Sequence, residues 1–267
     1  MTTARIGDGH QRTRTAKVGG YARPHLLPVL ALQALWVRAR IEELPPAAGP
    51  TDGVVAGSCA GSEPALRLAV IGDSTAAGCG VDTHDEGIVG ALARELSTAA
   101  LRPVHWEVVG QHGATSLRIR HRLLPELRQE NFDVAVLLAG ANDVLGRRTP
   151  AEWHDDLSAI LADLTARAAH VVVAGIPPFA VFPSLPGALA GYLSRRAAAL
   201  DEVADDLCAG NPRTTWIDSA GLIPADVAAF FARDRFHPSA LGYRMWAQAI
   251  VRGLPLAAAN TLRAEAP

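Results

Sequence analysis

A serine in the first third of the chain and an aspartate–histidine pair near its end are the residues best suited to covalent chemistry. Ser74 lies in segment 72–75 (Gly-Asp-Ser-Thr), and Asp234 and His237 lie three residues apart. A serine hydroxyl is a weak nucleophile until an imidazole takes its proton and a third group orients that imidazole. These three side chains therefore predict a nucleophile, a general base and an orienting carboxylate for acyl transfer.

Ser74 follows a pattern that is typical of a strand end. The apolar run 66–71 indicates a buried parallel strand, and the small polar residues after it indicate a loop. Open α/β sheets bind ligands just outside the carboxyl ends of their strands. By itself a Gly-Asp-Ser sequence is more typical of an ordinary strand-to-helix turn, so the catalytic hypothesis depends on the rest of the chain.

The aspartate–histidine pair is predicted to lie on a loop that enters the last helix. Pro238 disfavours helical geometry at His237, and Ser239 is a suitable N-cap for the helical pattern 240–251. On such a loop the Asp234 carboxylate can turn back onto the imidazole. Alone, the pair is more typical of a solvated or capping loop, but together with a strand-end serine it favours catalysis.

Two further strand ends carry groups that could stabilise a developing oxyanion. Asn142 follows the apolar run 134–138, and a side-chain amide donates hydrogen bonds without carrying charge. Gly113 follows the predicted strand 104–109, where a glycine lets the backbone N–H approach a substrate closely. The alternative interpretations are an Asn that stabilises its own loop and a turn glycine. Their occurrence at successive strand ends favours the oxyanion hypothesis.

The four blocks together resemble those of the SGNH hydrolases, also called the GDSL esterase/lipase family. Segment 72–75 is similar to the nucleophile block, with Thr75 in place of the leucine that gives the family its name. Gly113, segment 140–143 and the Asp-x-x-His segment 234–237 match the remaining blocks in the family's order.

The resemblance implies a role for each matched residue. Ser74 would be the nucleophile, His237 the general base and acid, and Asp234 its orienting group. The oxyanion hole would comprise the backbone N–H groups of Ser74 and Gly113 and the Asn142 amide. The implied activity is hydrolysis of carboxylic esters, expected to be small or short-acyl. Lysophospholipase, thioesterase and carbohydrate O-deacetylase activities are alternatives, as is a flavodoxin-like module that binds a small ligand without catalysis.

Alternating strands and helices must position these residues. Strands are predicted at 66–71, 104–109, 133–138, 170–175 and 214–217, and helices at 88–99, 116–129, 151–168, 188–207 and 240–251. This alternation predicts a three-layer α/β/α fold with a five-stranded parallel sheet. The expected flavodoxin-like order 2-1-3-4-5 is also implied by the resemblance. The apolar loop 177–186 could form a wall of the acyl pocket or merely cover the sheet.

Composition and motifs limit which partners and cofactors are expected for this chain. The 267 residues carry a net charge of -2, which gives no bulk attraction for nucleic acid. No glycine-rich dinucleotide fingerprint follows the first predicted strand, so no cofactor is expected. The acidic loop 82–86 could bind a metal but is more typical of a solvated loop, and no metal is expected. Three cysteines favour a reducing, cytoplasmic compartment. The sequence leaves the oligomeric state open.

Residues 1–64 carry none of the four blocks and are predicted to be an extension of a hydrolase domain at 65–256, with a tail at 257–267. Residues 1–24 are polar and expected to be disordered, and residues 45–62 are expected to be a linker. Between them, the apolar segment 25–44 is too short to span a bilayer. It is expected to be an amphipathic helix that contacts a membrane surface peripherally, with packing on the domain as the alternative. Its likeness to a signal core leaves secretion open.

Overall fold

The structure, a computed structural model, describes residues 26–57, 64–219 and 227–254. Its strands are β1 (Asp52–Val55), β2 (Leu66–Gly72), β3 (Val104–Gly110), β4 (Phe132–Leu138), β5 (Ala168–Ala174) and β6 (Thr214–Ile217). Its helices are α1 (Leu27–Arg38), α2 (Ile88–Ala100), α3 (Ser116–Arg118), α4 (Ala141–Leu145), α5 (Pro150–Arg167), α6 (Gly187–Ala209), α7 (Val227–Phe230) and α8 (Ala240–Gly253). The predicted polar arm 1–24, Cys59 and the tail 257–267 lie outside the described residues.

The strands form one sheet in the order β1-β3-β2-β4-β5-β6, in which β2 to β6 run parallel. The five predicted strands therefore take the order 2-1-3-4-5, and the predicted fold class is confirmed. Gly72 at the end of β2 pairs with Gly110 of β3 and Leu138 of β4. This register brings the carboxyl ends of three strands to one edge of the sheet, where the loops carrying Ser74, Gly113 and Asn142 begin.

The sheet has six strands instead of the five predicted, because β1 lies within the segment interpreted as a linker. β1 pairs antiparallel with β3 at the edge of the sheet. Gly53 lies opposite Trp106, and a Cβ atom at Gly53 would come within 2.5 Å of the indole ring. Strands are predicted from β-branched residues and from alternation of apolar and polar residues. A four-residue edge strand with a glycine in it shows little of either, so it resembles a linker.

The sheet is buried on both faces, as its aliphatic strands predict. In β2, Ala69 and Ile71 belong to the core beneath α5 and α6, whereas Leu68 and Val70 belong to the core beneath α2 and α8. All four side chains are fully buried. Since successive residues of a strand point to opposite faces, two hydrophobic layers form and hold the strand ends in place.

The helix predicted at 116–129 is short and irregular. It begins as α3, continues as a π-helical turn at Ile119–Leu123 and ends as a 3₁₀ turn at Leu124–Glu126. Pro125 has no backbone N–H to donate within an α-helix, so regular α-geometry cannot continue through it. α5, in contrast, begins where predicted, because Thr149 and Glu152 form a capping box.

Helix α1 lies against α6, and apolar side chains cover both of its sides. Leu30 and Val37 are buried in the core, and the Leu189 N–H donates to Gln33 Oε1 at 3.1 Å. The opposite side exposes apolar side chains, namely Leu27, Val29, Leu32, Leu35 and Trp36. No helix among the described residues is long and apolar enough to cross a bilayer.

Candidate active site

Ser74, His237 and Asp234 form a continuous chain of hydrogen bonds at the carboxyl edge of the sheet. His237 Nε2 lies 2.9 Å from Ser74 Oγ, and His237 Nδ1 lies 2.6 Å from Asp234 Oδ2. All three side chains are buried. The structure thus brings together two parts of the chain that are 163 residues apart, in the arrangement that activates a serine nucleophile.

The turn after β2 presents Ser74 at the edge of the sheet. Asp73 Oδ1 accepts hydrogen bonds from the Thr75 N–H at 2.9 Å and from Thr75 Oγ1 at 2.7 Å, which closes the turn around Ser74. Burial raises the pKa of Asp73 above its ordinary value, against the opposing effect of these bonds. Gly72 is required because a Cβ atom there would lie 2.1 Å from the Leu138 carbonyl oxygen. Gly72 and Asp73 therefore position the serine.

The loop before α8 holds Asp234 and His237 in register with each other. Asp234 Oδ1 accepts from the N–H groups of Phe236 and His237, each at 3.0 Å, which leaves Oδ2 to bind the imidazole. Arg235 between them has a positive φ of 58°, so the loop is tightly turned. Burial acts to raise the pKa of Asp234, but the hydrogen bonds from His237 and the backbone outweigh it and the pKa lies below its ordinary value. Asp234 therefore stays an anion that can orient the ring.

Helix α8 connects the His237 loop with the turn that follows Ser74. Ser239 caps it by accepting from the Gly242 N–H at 3.1 Å. One turn further on, Tyr243 Oη donates to the Cys79 carbonyl at 2.7 Å, beneath the nucleophile turn. Gly80 allows close approach of the His237 loop, because a Cβ atom there would lie 2.3 Å from the Pro238 carbonyl oxygen.

Cys79 is buried, and burial raises the pKa of its thiol to about 12, so it is no competing nucleophile.

The predicted oxyanion donors lie around the same edge. Asn142 lines the cavity together with Ser74, and its Nδ2 donates one hydrogen bond to the Ala114 carbonyl at 3.0 Å. An amide nitrogen carries two hydrogens, so a second donor is left. Gly113 has a φ of +73° and is exposed. Among the described residues no hydrogen bond uses the N–H of Ser74 or of Gly113, so both can bind a ligand.

Behind Asn142 lies a buried polar cluster that the sequence analysis missed. We call Ser116, Asp143, Arg148 and Asp156 the support cluster. Asp143 accepts from the Ser116 N–H and hydroxyl, the latter at 2.6 Å, and pairs with Arg148, which also binds Asp156. Burial raises the pKa of Asp143 to about 6, although the Ser116 bonds and Arg148 oppose the rise. The cluster connects the Asn142 and Gly113 loops, and the Gly-x-Asn-Asp block was its one sequence signal.

A cavity opens beside Ser74 and extends over the ends of β4, β5 and β6. Its volume is about 800 Å³, including the part open to solvent. Ser74, Asn142 and His237 form its polar end, whereas Phe179, Phe182 and other aromatic and aliphatic side chains form its walls. Since Phe179 and Phe182 belong to the loop 177–186, that loop forms a wall of the cavity. Such a shape suits a ligand with an apolar portion and one reactive polar group.

No group of three metal-ligating side chains was found among the described residues. In the acidic loop, the Asp85 carboxylate pairs with Arg94 at 2.8 Å, and Thr83 bonds to Glu86. The two cysteines in the described part of the chain, Cys79 and Cys208, are free and buried.

The comparisons with known proteins agree with this geometry. The GDSL-like lipase/acylhydrolase family model matches residues 70–245, which covers every strand-end loop of the site. The chain belongs to this family, and the predicted family is confirmed.

Relatives and solved structures similar to this chain carry related descriptions. The chain is 25% identical over 202 residues to the GDSL-like esterase Rv1075c of Mycobacterium tuberculosis, across 71% of this chain. It spans 62% of the length of that relative. A member of the lipolytic G-D-S-L family from Veillonella parvula has a TM-score of 0.56 and 18% identity, over 70% of this chain and 97% of that one. A catalytic mutant of Axe2, an acetylxylan esterase from Geobacillus stearothermophilus, has a TM-score of 0.53 and 14% identity, over 74% and 95%. At these identities the solved structures support the fold.

Proposed function

We propose that the protein is a serine hydrolase that cleaves carboxylic esters through an acyl-enzyme intermediate. The observation that carries the proposal is the hydrogen-bonded chain Ser74–His237–Asp234 at the mouth of an apolar cavity. Membership of a lipase and acylhydrolase family supports the same conclusion.

In the proposed mechanism His237 Nε2 takes the Ser74 proton while Ser74 Oγ attacks the ester carbonyl. Asp234 stabilises the imidazolium that forms and keeps Nε2 directed at the serine. His237 then gives its proton to the alcohol oxygen, which leaves as the acyl–oxygen bond breaks. A water molecule repeats the sequence on the acyl-enzyme, so the carboxylic acid departs and Ser74 regains its proton.

We further propose that the oxyanion is bound by the N–H groups of Ser74 and Gly113 and by Asn142 Nδ2. The two N–H groups lack partners among the described residues, and Asn142 lines the cavity. These donors are held before the substrate arrives, because Asn142 is bonded to Ala114 and its loop rests on the support cluster. Preorganised donors stabilise the charge without reorganisation during the reaction.

A covalent probe tests the activity most directly. A fluorophosphonate should label the full chain and Ser158→Ala, a control that removes a serine hydroxyl outside the cavity. It should not label Ser74→Ala. Labelling of Ser74→Ala at the wild-type rate would overturn the assignment of the nucleophile. No labelling of the wild type, with binding of small ligands retained, would instead support a non-catalytic module.

The substrate class is tested by a panel of esters. The cavity is lined mainly by apolar side chains beside Ser74, which suits an ester with an apolar acyl group. Acetylated xylan is a reasonable member of the panel, because one structural neighbour is described as an acetylxylan esterase. Hydrolysis rates for p-nitrophenyl esters of rising length, a thioester, a lysophospholipid and an acetylated sugar would separate the esterase from its three alternatives.

We also propose that α1 makes a peripheral contact with a membrane surface on the cytoplasmic side. Its exposed side carries Leu32, Leu35 and Trp36, which are 68, 65 and 49% exposed. Arg38 and Arg40 follow, and the Arg40 guanidinium lies 4.5 Å from the Trp36 ring centroid. An apolar strip that ends in an aromatic residue and arginines suits the boundary between acyl chains and anionic headgroups.

Co-sedimentation with anionic vesicles tests this contact. The full chain should sediment with the vesicles, whereas the triple variant Leu32→Ser, Leu35→Ser and Trp36→Ala should remain in solution. Leu117→Ser, which alters an exposed leucine elsewhere, is the matched control. Equal binding of all three proteins would show that α1 does not bind the membrane.

A further inference from the structure

We propose that the far end of the active-site cavity is a polar subsite in which Ser219 and Trp246 bind a neutral oxygen atom of the substrate. This inference rests on the proposed function, because the ligand is the ester that Ser74 would cleave. The ligand group would be a hydroxyl or a carbonyl, carried on the ester chain that fills the cavity.

Two unpartnered polar atoms carry the proposal. Ser219 Oγ and Trp246 Nε1 are buried and have no hydrogen-bond partner among the described residues. Their residues are 2% and 5% exposed, and both line the same cavity as Ser74. A buried donor without a partner costs free energy, and a ligand that supplies the missing acceptor recovers it.

The sheet sets the distance between the reactive end and this subsite. Ser74 lies two residues beyond the end of β2, and Ser219 lies two residues beyond the end of β6. In sheet order β2, β4, β5 and β6 are successive neighbours, so three spacings of about 4.8 Å separate the two ends by about 14 Å. An extended chain advances about 1.25 Å per carbon–carbon bond, so about eleven bonds cover this distance and a chain of about ten to twelve carbons reaches from the ester to the subsite.

The intervening walls require that this chain be apolar. Phe179 and Phe182 stack with ring centroids 5.4 Å apart, and Phe231 packs on Phe182 at 5.2 Å. All three rings line the same cavity as Ser74 and Ser219. A chain with polar groups along its length would leave them without hydrogen bonds here.

The chemistry of the two side chains defines the oxygen that they would accept. An indole N–H can only donate, and a serine hydroxyl can donate or accept. A ligand hydroxyl or carbonyl satisfies both. No arginine or lysine of the described residues lines the cavity, so a carboxylate at the far end would be buried without a counter-charge.

Matched ester pairs test the subsite. Plain and terminally hydroxylated p-nitrophenyl esters with six to twelve acyl carbons would be compared, together with esters that carry the same hydroxyl on the alcohol chain. We expect kcat/KM of the wild type to favour the hydroxylated ester roughly tenfold at one length, on whichever chain enters the cavity. Ser219→Ala and Trp246→Phe should each reduce this preference, and the double variant should prefer the plain ester.

The controls separate this proposal from the proposed function. Ser158→Ala and Trp106→Phe remove a serine hydroxyl and an indole N–H outside the cavity and should keep the wild-type preference. Hydrolysis of p-nitrophenyl acetate by the wild type tests the esterase activity alone. Calorimetric titration of Ser74→Ala with the same ester pairs measures the binding preference even if no turnover occurs. Equal affinities and rates for plain and hydroxylated esters at every length, or a preference that survives the double variant, would overturn the subsite.

Discussion

The hydrogen-bonded chain Ser74–His237–Asp234 and the support cluster are both buried and polar, but the pKa values of Asp234 and Asp143 are shifted in opposite directions. In Asp234, hydrogen bonds outweigh burial and the pKa lies below its ordinary value. In Asp143, burial outweighs the Ser116 bonds and the nearby Arg148, and the pKa rises to about 6. The difference indicates that the charge of Asp234 is stabilised for use beside His237, whereas Asp143 serves mainly as a hydrogen-bond acceptor in the fold. Changes in the first region should therefore impair turnover, and changes in the second should impair stability.

The largest expected effect is the loss of the proposed general base. His237→Ala should lower kcat about a millionfold, as in the serine protease subtilisin, because no other group among the described residues is bonded to Ser74 Oγ. Asp234→Ala should cost roughly ten-thousandfold, since the aspartate orients the imidazole without touching the substrate. Steady-state kinetics at saturating p-nitrophenyl ester measures both. Equal losses in the two variants, with unchanged thermal midpoints, would contradict this division of roles.

Removing the proposed oxyanion donor Asn142 should have a smaller effect on turnover. Asn142→Ala should lower kcat about a hundredfold to a thousandfold while KM changes little, because the full oxyanion exists only in the transition state. Kinetics and thermal unfolding should be measured on the same preparation. If the midpoint falls while kcat of the folded enzyme stays near wild type, the Asn142 bond to Ala114 stabilises a loop and the oxyanion role is wrong.

The support cluster should behave in the opposite way. Asp143→Ala leaves the Ser116 donors without their acceptor and Arg148 without one of its two carboxylates, which should destabilise the fold by about 3 kcal/mol. The thermal midpoint should fall by roughly 10 °C. Urea unfolding gives the free energy, and Asp155→Ala, an exposed aspartate on the same helix as Asp156, is the control. A variant of wild-type stability that lost its activity would remove the distinction between the two regions.

Asp201 belongs to neither region and shows the effect of burial on the pKa of an aspartate. Asp201 Oδ1 accepts from the Ile176 N–H at 2.9 Å and from Trp216 Nε1 at 3.3 Å, and burial raises its pKa to about 7. Because the folded pKa exceeds the ordinary value of 3.8, its contribution to stability is complete below about pH 4 and is lost as the pH rises through about 7.

Asp201→Asn keeps an acceptor oxygen and removes this titration. The stability of the variant relative to wild type should therefore increase between pH 5 and pH 8, by at most about 1.4 kcal/mol for each pH unit below 7. Urea unfolding across this range measures it, and the exposed Asp205→Asn controls for the change in net charge. A difference from wild type that does not vary with pH would show that burial is not the cause.

The local sequence determined the five parallel strands and the residues proposed for the chemistry. Runs such as 66–71 are buried on both faces of the sheet, and a strand buried on both faces is aliphatic along most of its length. Gly72, Ser74 and Asn142 were recognisable because each follows such a run. The Asp234–His237 pair was recognisable because its loop is closed by local hydrogen bonds. The N–H groups of Phe236 and His237, two and three residues after Asp234, donate to the Asp234 carboxylate.

Tertiary structure decided what depends on contacts between distant segments. The edge strand β1 exists because Gly53 accommodates Trp106, and the support cluster exists because Asp143 contacts Ser116, which lies 27 residues earlier in the chain. The cavity and the unpartnered Ser219 Oγ and Trp246 Nε1 in its lining depend on which side chains the strand ends and α8 bring together. Residue types alone do not specify these contacts between distant segments, because the side chains become buried and paired only when the whole sheet has formed.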